Sequence, residues 1–299
     1  MHINRSDITP RAQAVIWVTW VVGALLLLDV LSGGWYAAVV LTSALLLAQV
    51  PGALPTSRGH RDTDELAVIG GFYVGVVALL SIAFRVFTTE HVAGMFLSFA
   101  AALLLGVVGP IVYVVWRRGG SLAALGLRND NWRETALLAV LFAAVQFGLT
   151  LWGVGLPNYA EWVPLLAMAL VVGVFEAIFF RGFIQTRLEM QFGHVGGVLS
   201  AAALYGLYHV GYGMGLTEMV FLFGLGVVYA VAFAIPRNVL VLWPLLTPLG
   251  SFYNSVSTGD IDLPWASIMG FADVFAIMLA VMWLAHRHTK RRGLVAVSA

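Results

Sequence analysis

The sequence contains no cysteine, a single lysine and few charged residues of any kind. Asp, Glu, Lys and Arg together make up 10% of its 299 residues, whereas a soluble domain carries about 25%. The absence of cysteine excludes disulfide bonds, a thiolate nucleophile and cysteine-based metal sites. The scarcity of charge excludes an ordinary soluble domain, and the preference for arginine over lysine favours a bacterial origin.

The sequence consists largely of long apolar runs. Hydrophobic residues account for 61% of the chain, and many runs have the length of about 20 residues that a transmembrane helix needs. The alternating polarity of an outer-membrane barrel is absent. We therefore predict an all-α polytopic transmembrane bundle of about ten spanning helices. The predicted spans are 13–31, 33–50, 66–87, 91–116, 135–156, 162–184, 196–212, 217–235, 239–257 and 264–286.

The segments between these spans alternate in charge, and this alternation predicts the orientation. Every second loop contains arginine, whereas the other loops contain no Lys or Arg and hold acidic residues such as Glu161 and Asp260. Under the positive-inside rule, the arginine-bearing loops and both termini are cytoplasmic, and the number of spans is even. The basic positions are Arg5, Arg11, Arg58, Arg61, Arg117, Arg118, Arg128, Arg133, Arg187, Arg237 and the tail from His286 to Arg292.

Polar, turn-rich segments at 51–65 and 117–134 suggest a division of the chain. We predict amino-terminal accessory transmembrane helices over 1–121 and a functional core over 122–257. The last transmembrane helix and the basic tail then occupy 258–299. No internal repeat is visible, which argues against a transporter built from inverted repeats.

Charged side chains occur inside two neighbouring apolar runs. Glu176 and Arg181 lie in the sixth predicted span, and His209 lies in the seventh. Ionisable groups in hydrocarbon cost several kcal/mol unless they are paired or line a cavity, so they are candidates for function. The two spans are predicted to be antiparallel neighbours joined near Gln191, which places Glu176 and His209 at similar depths, roughly 20 Å from the loop. Tyr205 shares a helix face with His209.

The chemistry open to these residues is activation of water. A desolvated glutamate can act as general base, and a histidine can hold water, stabilise an oxyanion or bind a metal. Alternatively, Glu176 and His209 only hydrogen-bond each other and hold two helices together. Glu176 and Arg181 are about 140° apart on an α-helix, so we expect Arg181 to reach a different partner.

Glu176 with Arg181-Gly182-Phe183, followed by Tyr205 and His209, resembles the first two motifs of a known family. This is the CPBP (CAAX protease and bacteriocin-processing) family of intramembrane proteases, which includes prenyl endopeptidases that cut after a prenylated cysteine. The resemblance covers roughly 122–257 and implies catalytic roles for Glu176, Arg181 and His209. It also includes the segments Leu125-Gly126-Leu127-Arg128 and Arg181-Gly182-Phe183-Ile184-Gln185.

The sequence departs from the family's motifs at several positions. The second glutamate of the first motif is Ala177 here, and the phenylalanine of the second motif is Tyr205. The third motif pairs a histidine with an asparagine four residues later, yet no histidine lies between His209 and His286. The resemblance therefore leaves the third motif incomplete.

The ninth predicted span contains the candidates for the missing group. Asn254 matches the asparagine if Gly250 takes the place of the histidine, whereas Thr247 or Pro248 are the alternatives. We expect Asn254 first, and then Thr247, to supply a polar group, with Tyr205 as a further donor. A divalent metal is possible from the family, but catalytic zinc normally has three protein ligands and this set is too small.

Two hypotheses follow from the resemblance. The first is an intramembrane endopeptidase that cleaves a membrane-associated peptide or protein with a water activated by Glu176. The second is a catalytically degenerate relative that acts as a membrane binding, immunity or chaperone-like protein. A proton-coupled transporter using Glu176 and His209 is a third class. The expected partners are membrane lipid and the substrate, with no nucleic acid, and the expected location is a bacterial cytoplasmic membrane, crossed several times.

Overall fold

The computed structural model describes residues 8–54, 62–87, 92–150, 155–259 and 263–297. All regular secondary structure in these residues is helical, which confirms the predicted all-α class. Several charged positions used to predict the orientation, namely Arg5, Arg58, Arg61 and Asp260, lie outside the described residues.

The helices follow the predicted spans in order along the chain. Four of them continue into π-helical or 3-10 segments: a π-helix over Ala83–Phe87 after α3, a mainly π-helical stretch over Ala101–Arg117 after α4, a π-helix over Ala177–Gln185 after α6 and a 3-10 turn over His209–Tyr212 after α7. The α-helices are α1 (Pro10–Leu26), α2 (Gly33–Ala48), α3 (Thr63–Ile82), α4 (Val92–Ala100), α5 (Trp132–Thr150), α6 (Tyr159–Glu176), α7 (Thr186–Tyr208), α8 (Leu216–Ala234), α9 (Leu246–Thr258) and α10 (Ser267–Val297).

Five helical stretches among the described residues are long and apolar enough to cross a bilayer by length and composition. Shorter apolar helices, α1 and α2, accompany them. These features make the chain a multi-pass membrane protein. The five stretches are Thr63–Phe87, Val92–Arg117, Tyr159–Tyr212, Leu216–Ala234 and Ser267–Gly293.

The stretch Tyr159–Tyr212 folds back on itself at Gly193. This residue has φ 74° and ψ 174° inside α7, a conformation that a residue without Cβ adopts readily. A Cβ on Gly197 would lie 2.4 Å from the Cα of Glu189, so the two arms touch through their backbones. The reversal therefore comes two residues after the predicted centre of the loop, Gln191.

Arg187 was predicted in a cytoplasmic loop, but it lies inside α7. Its side chain is buried, and Nε is 3.3 Å from Oε1 of Glu65 on α3. Gln191 donates a hydrogen bond to Oε2 of the same glutamate at 3.4 Å. The helix continues past the predicted end of the span, and Glu65 neutralises the arginine within the protein. A buried ion pair of this kind leaves a costly charge behind when one partner is removed.

The start of α3 carries an exposed polar network next to this pair. Oδ1 of Asp62 accepts hydrogen bonds from the backbone N–H groups of Asp64 and Glu65, as expected of an N-cap. Arg118 Nη2 lies 3.1 Å from Asp62 Oδ2. The backbone N–H of Glu65 and then the Arg118 guanidinium lower the pKa of Asp62 below its ordinary value.

The amino-terminal helices pack directly on the predicted core. α2 lies against α8 so closely that a Cβ on Gly224 would be 2.8 Å from the Cα of Ala37. At the other end, the rings of Phe84 and Tyr212 meet edge to face with centroids 4.8 Å apart. The two predicted parts, 1–121 and 122–257, thus share an extensive boundary, and their division stays a prediction.

The ninth predicted span, 239–257, is shorter and more broken than expected. A 3-10 turn forms at Val239–Val241, and the regular helix α9 begins only at Leu246. Its 13 residues correspond to about 20 Å, less than the hydrocarbon core of about 30 Å. Pro244 lies just before α9, and proline fits the first turn of a helix but not its interior. The break therefore follows from the sequence.

Candidate active site

The chain changes from α-helix to π-helix directly after Glu176. The nine residues of the π-helix Ala177–Gln185 are all buried, and such segments occur frequently at functional sites. Gly182 lets this segment approach the 3-10 helix Leu122–Leu125, because a Cβ there would lie 2.3 Å from the carbonyl oxygen of Leu125. The 3-10 helix, which precedes the motifs in the sequence, thus packs directly against the π-helix.

The carboxylate of Glu176 is held by two tyrosine hydroxyls from α7. Tyr205 Oη donates to Oε2 at 3.3 Å, and Tyr208 Oη donates a short hydrogen bond to Oε1. The glutamate is 7% exposed. Both carboxylate oxygens therefore have a fixed donor, and the group points toward α7.

Tyr208 is a site residue that the sequence reasoning missed. It lies three residues after Tyr205, so the two side chains project from neighbouring positions on one helix face. The signal was its spacing from Tyr205 within the second motif. An aromatic residue in a transmembrane helix does not by itself stand out from packing residues, whereas a charged one does.

His209 lies at the end of α7, one residue beyond Tyr208. Its Nδ1 is 2.9 Å from the carbonyl oxygen of Tyr205. Because a carbonyl only accepts, Nδ1 carries the proton, and in the neutral ring Nε2 is then an acceptor. The His209 ring centroid lies 4.1 Å from that of Tyr208 and 5.2 Å from that of Tyr205. His209 and Glu176 thus share both tyrosines as neighbours.

Arg181 lies in the π-helix with its charge enclosed by the protein. The residue is 1% exposed, and its Cζ lies 5.0 Å from the ring centroid of Tyr205. Within the described part of the chain, Nη1 and Nη2 have no hydrogen-bond partner. The expectation that Arg181 reaches a hydrogen-bond partner other than Glu176 stays a prediction. A buried guanidinium with unused donors is costly unless an anion or a carbonyl oxygen satisfies it.

The polar candidates of α9 lie in different surroundings. Thr247 is buried in the first turn of α9, and a Cβ on Gly173 would lie 3.1 Å from its hydroxyl oxygen. Gly173 is three residues before Glu176, so Thr247 lies about one helical turn from the glutamate. Asn254 is exposed, and its carbonyl accepts from the hydroxyls of Ser257 and Thr258. Thr247 is thus the candidate next to the site, in contrast to the expectation that Asn254 comes first.

Gly250, another candidate for the third-motif histidine position, faces two polar groups that the sequence does not assign to the site. A Cβ there would lie 2.7 Å from Gln146 Nε2 and 3.0 Å from the hydroxyl of Tyr229. Tyr229 donates to Gln146 Oε1 at 3.5 Å, and its ring lies 6.3 Å from that of Tyr205. Gln146 and Tyr229 therefore occupy the space that a side chain at 250 would need.

The residues around Glu176 do not form a full set of metal ligands. In the described ranges, no group of three or more His, Asp or Glu side chains is placed to hold a metal ion. Glu176 and His209 supply one carboxylate and one imidazole, whereas catalytic zinc normally takes three protein ligands. The donor set therefore does not fit the divalent metal that the family resemblance allows.

Comparison with known families supports the resemblance carried by the motifs. Residues 157–246 match the family model described as type II CAAX prenyl endopeptidase Rce1-like. The match covers less than half of the chain but includes Glu176, Arg181 and His209, and it confirms the resemblance to the CPBP family. The matched family suggests CAAX-type intramembrane protease activity on a membrane-associated protein substrate. Comparisons with curated proteins and with solved structures gave no match.

Proposed function

We propose that this chain, whose core matches the Rce1-like CAAX endopeptidases, is an intramembrane endopeptidase that uses Glu176 to activate water. The observation that carries the proposal is the buried carboxylate of Glu176, which two tyrosine hydroxyls hold beside an arginine with unused N–H donors. This enclosed cluster thus contains a general base, Glu176, and a cationic hydrogen-bond donor, Arg181. The substrate class is a peptide or protein associated with the membrane.

Glu176 acts as general base in this mechanism. It takes a proton from water while the water oxygen forms a bond to the carbonyl carbon of the scissile peptide. When the C–N bond breaks, the same proton passes from the glutamate to the leaving amine nitrogen. Tyr205 and Tyr208 keep the carboxylate oriented during both steps.

Arg181 stabilises the negative charge that develops on the carbonyl oxygen. Its Nη1 and Nη2 groups have no partner among the described atoms, so they can donate to the oxyanion without first breaking another hydrogen bond. The guanidinium is held over the Tyr205 ring, which limits its reorganisation. Removing one preorganised oxyanion donor typically lowers the rate about 10²–10³-fold.

His209 orients the attacking water rather than binding a metal. The Tyr205 carbonyl fixes its tautomer with the proton on Nδ1, which leaves Nε2 as an acceptor for a water hydrogen. The ring is packed against Tyr208, so its direction is set by the same helix turn that holds Glu176. We assign this role because the cluster supplies one imidazole and one carboxylate, fewer than the three protein ligands that catalytic zinc normally takes.

Cleavage of a membrane-peptide library by the purified protein in lipid vesicles tests the proposal. We expect Glu176→Gln to abolish cleavage and Glu161→Gln, an exposed glutamate at the start of α6, to leave it unchanged. Tyr208→Phe should lower the rate about 10- to 150-fold, because a hydrogen bond to a charged group contributes about 1.5–3 kcal/mol. Full activity of Glu176→Gln would overturn the mechanism.

The second candidate function is a catalytically degenerate relative that binds membrane peptides. The packing at Gly250 favours it, since Gln146 and Tyr229 fill the space where a third-motif histidine would lie. This candidate predicts a parent protein without cleavage, and a gain of cleavage in the double variant Gly250→His with Gln146→Ala. The first candidate predicts that the parent cleaves and that the double variant loses activity.

A further inference from the structure

An apolar groove of about 270 Å³ lies between α1, α2, α7 and α8. It is separate from the cluster around Glu176, which contributes no residue to its lining. Trp17 of α1, Ala44 of α2, Val198 of α7 and Val227 of α8 are among its apolar walls. A groove of this size and polarity accommodates a hydrocarbon chain better than a polar molecule.

The start of α1, the ends of α2 and α8, and the part of α7 just after its reversal at Gly193 line the groove, and the charge pattern places these parts on the cytoplasmic side. The groove begins at Pro10 on α1 and at Ala48 on α2, and its deepest residues include Trp17 and Val227. Trp17 is seven residues from the start of α1, and Val227 is seven residues from the end of α8, so the groove is about 10 Å deep. It thus reaches from the membrane interface into the outer part of the hydrocarbon.

The entrance of the groove is preformed by hydrogen bonds to the turn after α2. Gln13 Nε2 donates to the carbonyl of Gly52 at 2.5 Å, and Trp17 Nε1 donates to the carbonyl of Ala53 at 2.8 Å. These two bonds hold the turn beside α1. The wall on this side is therefore fixed by the protein itself.

Arg237 stands at the polar edge of the groove with His194. Its φ of 53° makes it the one non-glycine residue of positive φ in the described ranges, at the end of a helix where glycine or asparagine is usual. A strained arginine at such a position suggests a use for its side chain. Nη1 lies 2.5 Å from Glu189 Oε2, and Nη2 lies 3.0 Å from His194 Nδ1.

We propose that this groove binds one acyl chain of an anionic phospholipid, with the lipid phosphate at Arg237. The ion pair with Glu189 uses an N–H on Nη1, and guanidinium N–H groups beyond that one are the donors for phosphate oxygens. The headgroup then lies at the interface and the chain extends along the apolar walls. This site is independent of the proposed peptidase activity.

Binding of phosphatidylglycerol and phosphatidylcholine to the delipidated protein in detergent tests the site. Native mass spectrometry should show one phosphatidylglycerol bound more tightly than phosphatidylcholine. Arg237→Gln should weaken phosphatidylglycerol about fivefold and leave phosphatidylcholine unchanged, because one basic residue near an anionic surface contributes about 1 kcal/mol. Arg133→Gln, an exposed arginine away from the groove, is the matched control and should change neither lipid.

A second variant fills the groove without touching the charge. Ala234→Phe, on the α8 wall, should weaken both lipids at least tenfold, whereas Ala272→Phe on the exposed face of α10 should have no effect. Unchanged lipid binding in Ala234→Phe would overturn the groove as the site. Equal loss of both lipids in Arg237→Gln, or equal affinity of the parent for both, would overturn the headgroup contact. A tightly held peptide in place of lipid would overturn the choice of occupant.

Discussion

Gly182 is the position where one added methyl group should disturb the site most directly. In Gly182→Ala the new Cβ would lie 2.3 Å from the carbonyl oxygen, 3.0 Å from the carbonyl carbon and 3.4 Å from the Cα of Leu125. Real Cβ atoms essentially never come closer than 3.0 Å to such atoms. The π-helix must therefore retreat from the 3-10 helix, and it carries Arg181 with it.

The expected cost is that of overpacking a close contact, about 1–3 kcal/mol. The upper part of this range applies because the opposing atoms are backbone, which cannot turn aside as the end of a flexible side chain can. Peptidase activity should fall as well, since Arg181 is the neighbouring residue and its guanidinium would leave the Tyr205 ring. Thermal or denaturant unfolding in detergent measures the stability, and vesicle cleavage measures the activity.

Gly70→Ala is the matched control for this substitution. Gly70 lies within α3, and a Cβ there meets nothing within 4 Å. The same chemical change should therefore leave the stability unchanged or raise it by up to about 1 kcal/mol, because alanine favours a helix over glycine. A comparable loss of stability in both variants would show that helix propensity rather than the contact is measured.

A double variant separates the backbone contact from side-chain crowding. Leu125→Ala shortens the side chain but leaves the carbonyl group in place, so it should not restore the stability of Gly182→Ala. Restoration by Leu125→Ala would refute the reasoning, since the loss would then come from the leucine side chain.

Two further predictions concern the ends of the helices. The pKa of Asp62 is lowered in the folded protein, so its stabilising effect is complete above the ordinary aspartate pKa of about 3.9 and is lost as the pH falls through the lower folded value. The difference in melting temperature between the parent and Asp62→Asn should hence shrink below about pH 4, and a difference that grows there would contradict the assignment. For the orientation, Asn129→Cys should react with an impermeant thiol reagent only after cells are opened, whereas Thr217→Cys should react in intact cells. Labelling of Asn129→Cys from outside would reverse the predicted topology.

The sequence by itself determined the class of the protein and the residues that carry charge into the membrane. Long apolar runs leave few alternatives to helices, because every backbone polar group in hydrocarbon must be paired within its own segment. Glu176, Arg181 and His209 were recognisable for the same reason, since an ionisable group in an apolar run stands out against its surroundings. The spacing of the first two motifs then carried the family resemblance, which the match to 157–246 confirms.

Local sequence also gave limited information about breaks and turns. Pro244 accounts for the late start of α9, and Gly193 accounts for the reversal within Tyr159–Tyr212. The π-helix after Glu176 was not predicted, because the sequence pattern of an apolar run does not distinguish π-helical from α-helical hydrogen bonding. The sequence predicts a loop at Arg187 because charged residues are typical of loops. Its buried partner, Glu65, lies 122 positions earlier in the chain and is not evident from the local sequence.

Only the tertiary structure decided which polar groups meet. Tyr208 reaches Glu176 across the consecutive helices α6 and α7, whereas Gln146 and Gly250 come together from helices that are distant in sequence. Tyrosine and glutamine are common in helix packing, so the residue type alone does not mark them as site residues. The positive φ of Arg237 at the edge of the apolar groove is likewise a property of how α8 ends. Hydropathy and charge are properties of the sequence and can be read from it directly. The side-chain contacts depend on how the helices pack in the tertiary structure, which the sequence pattern does not show.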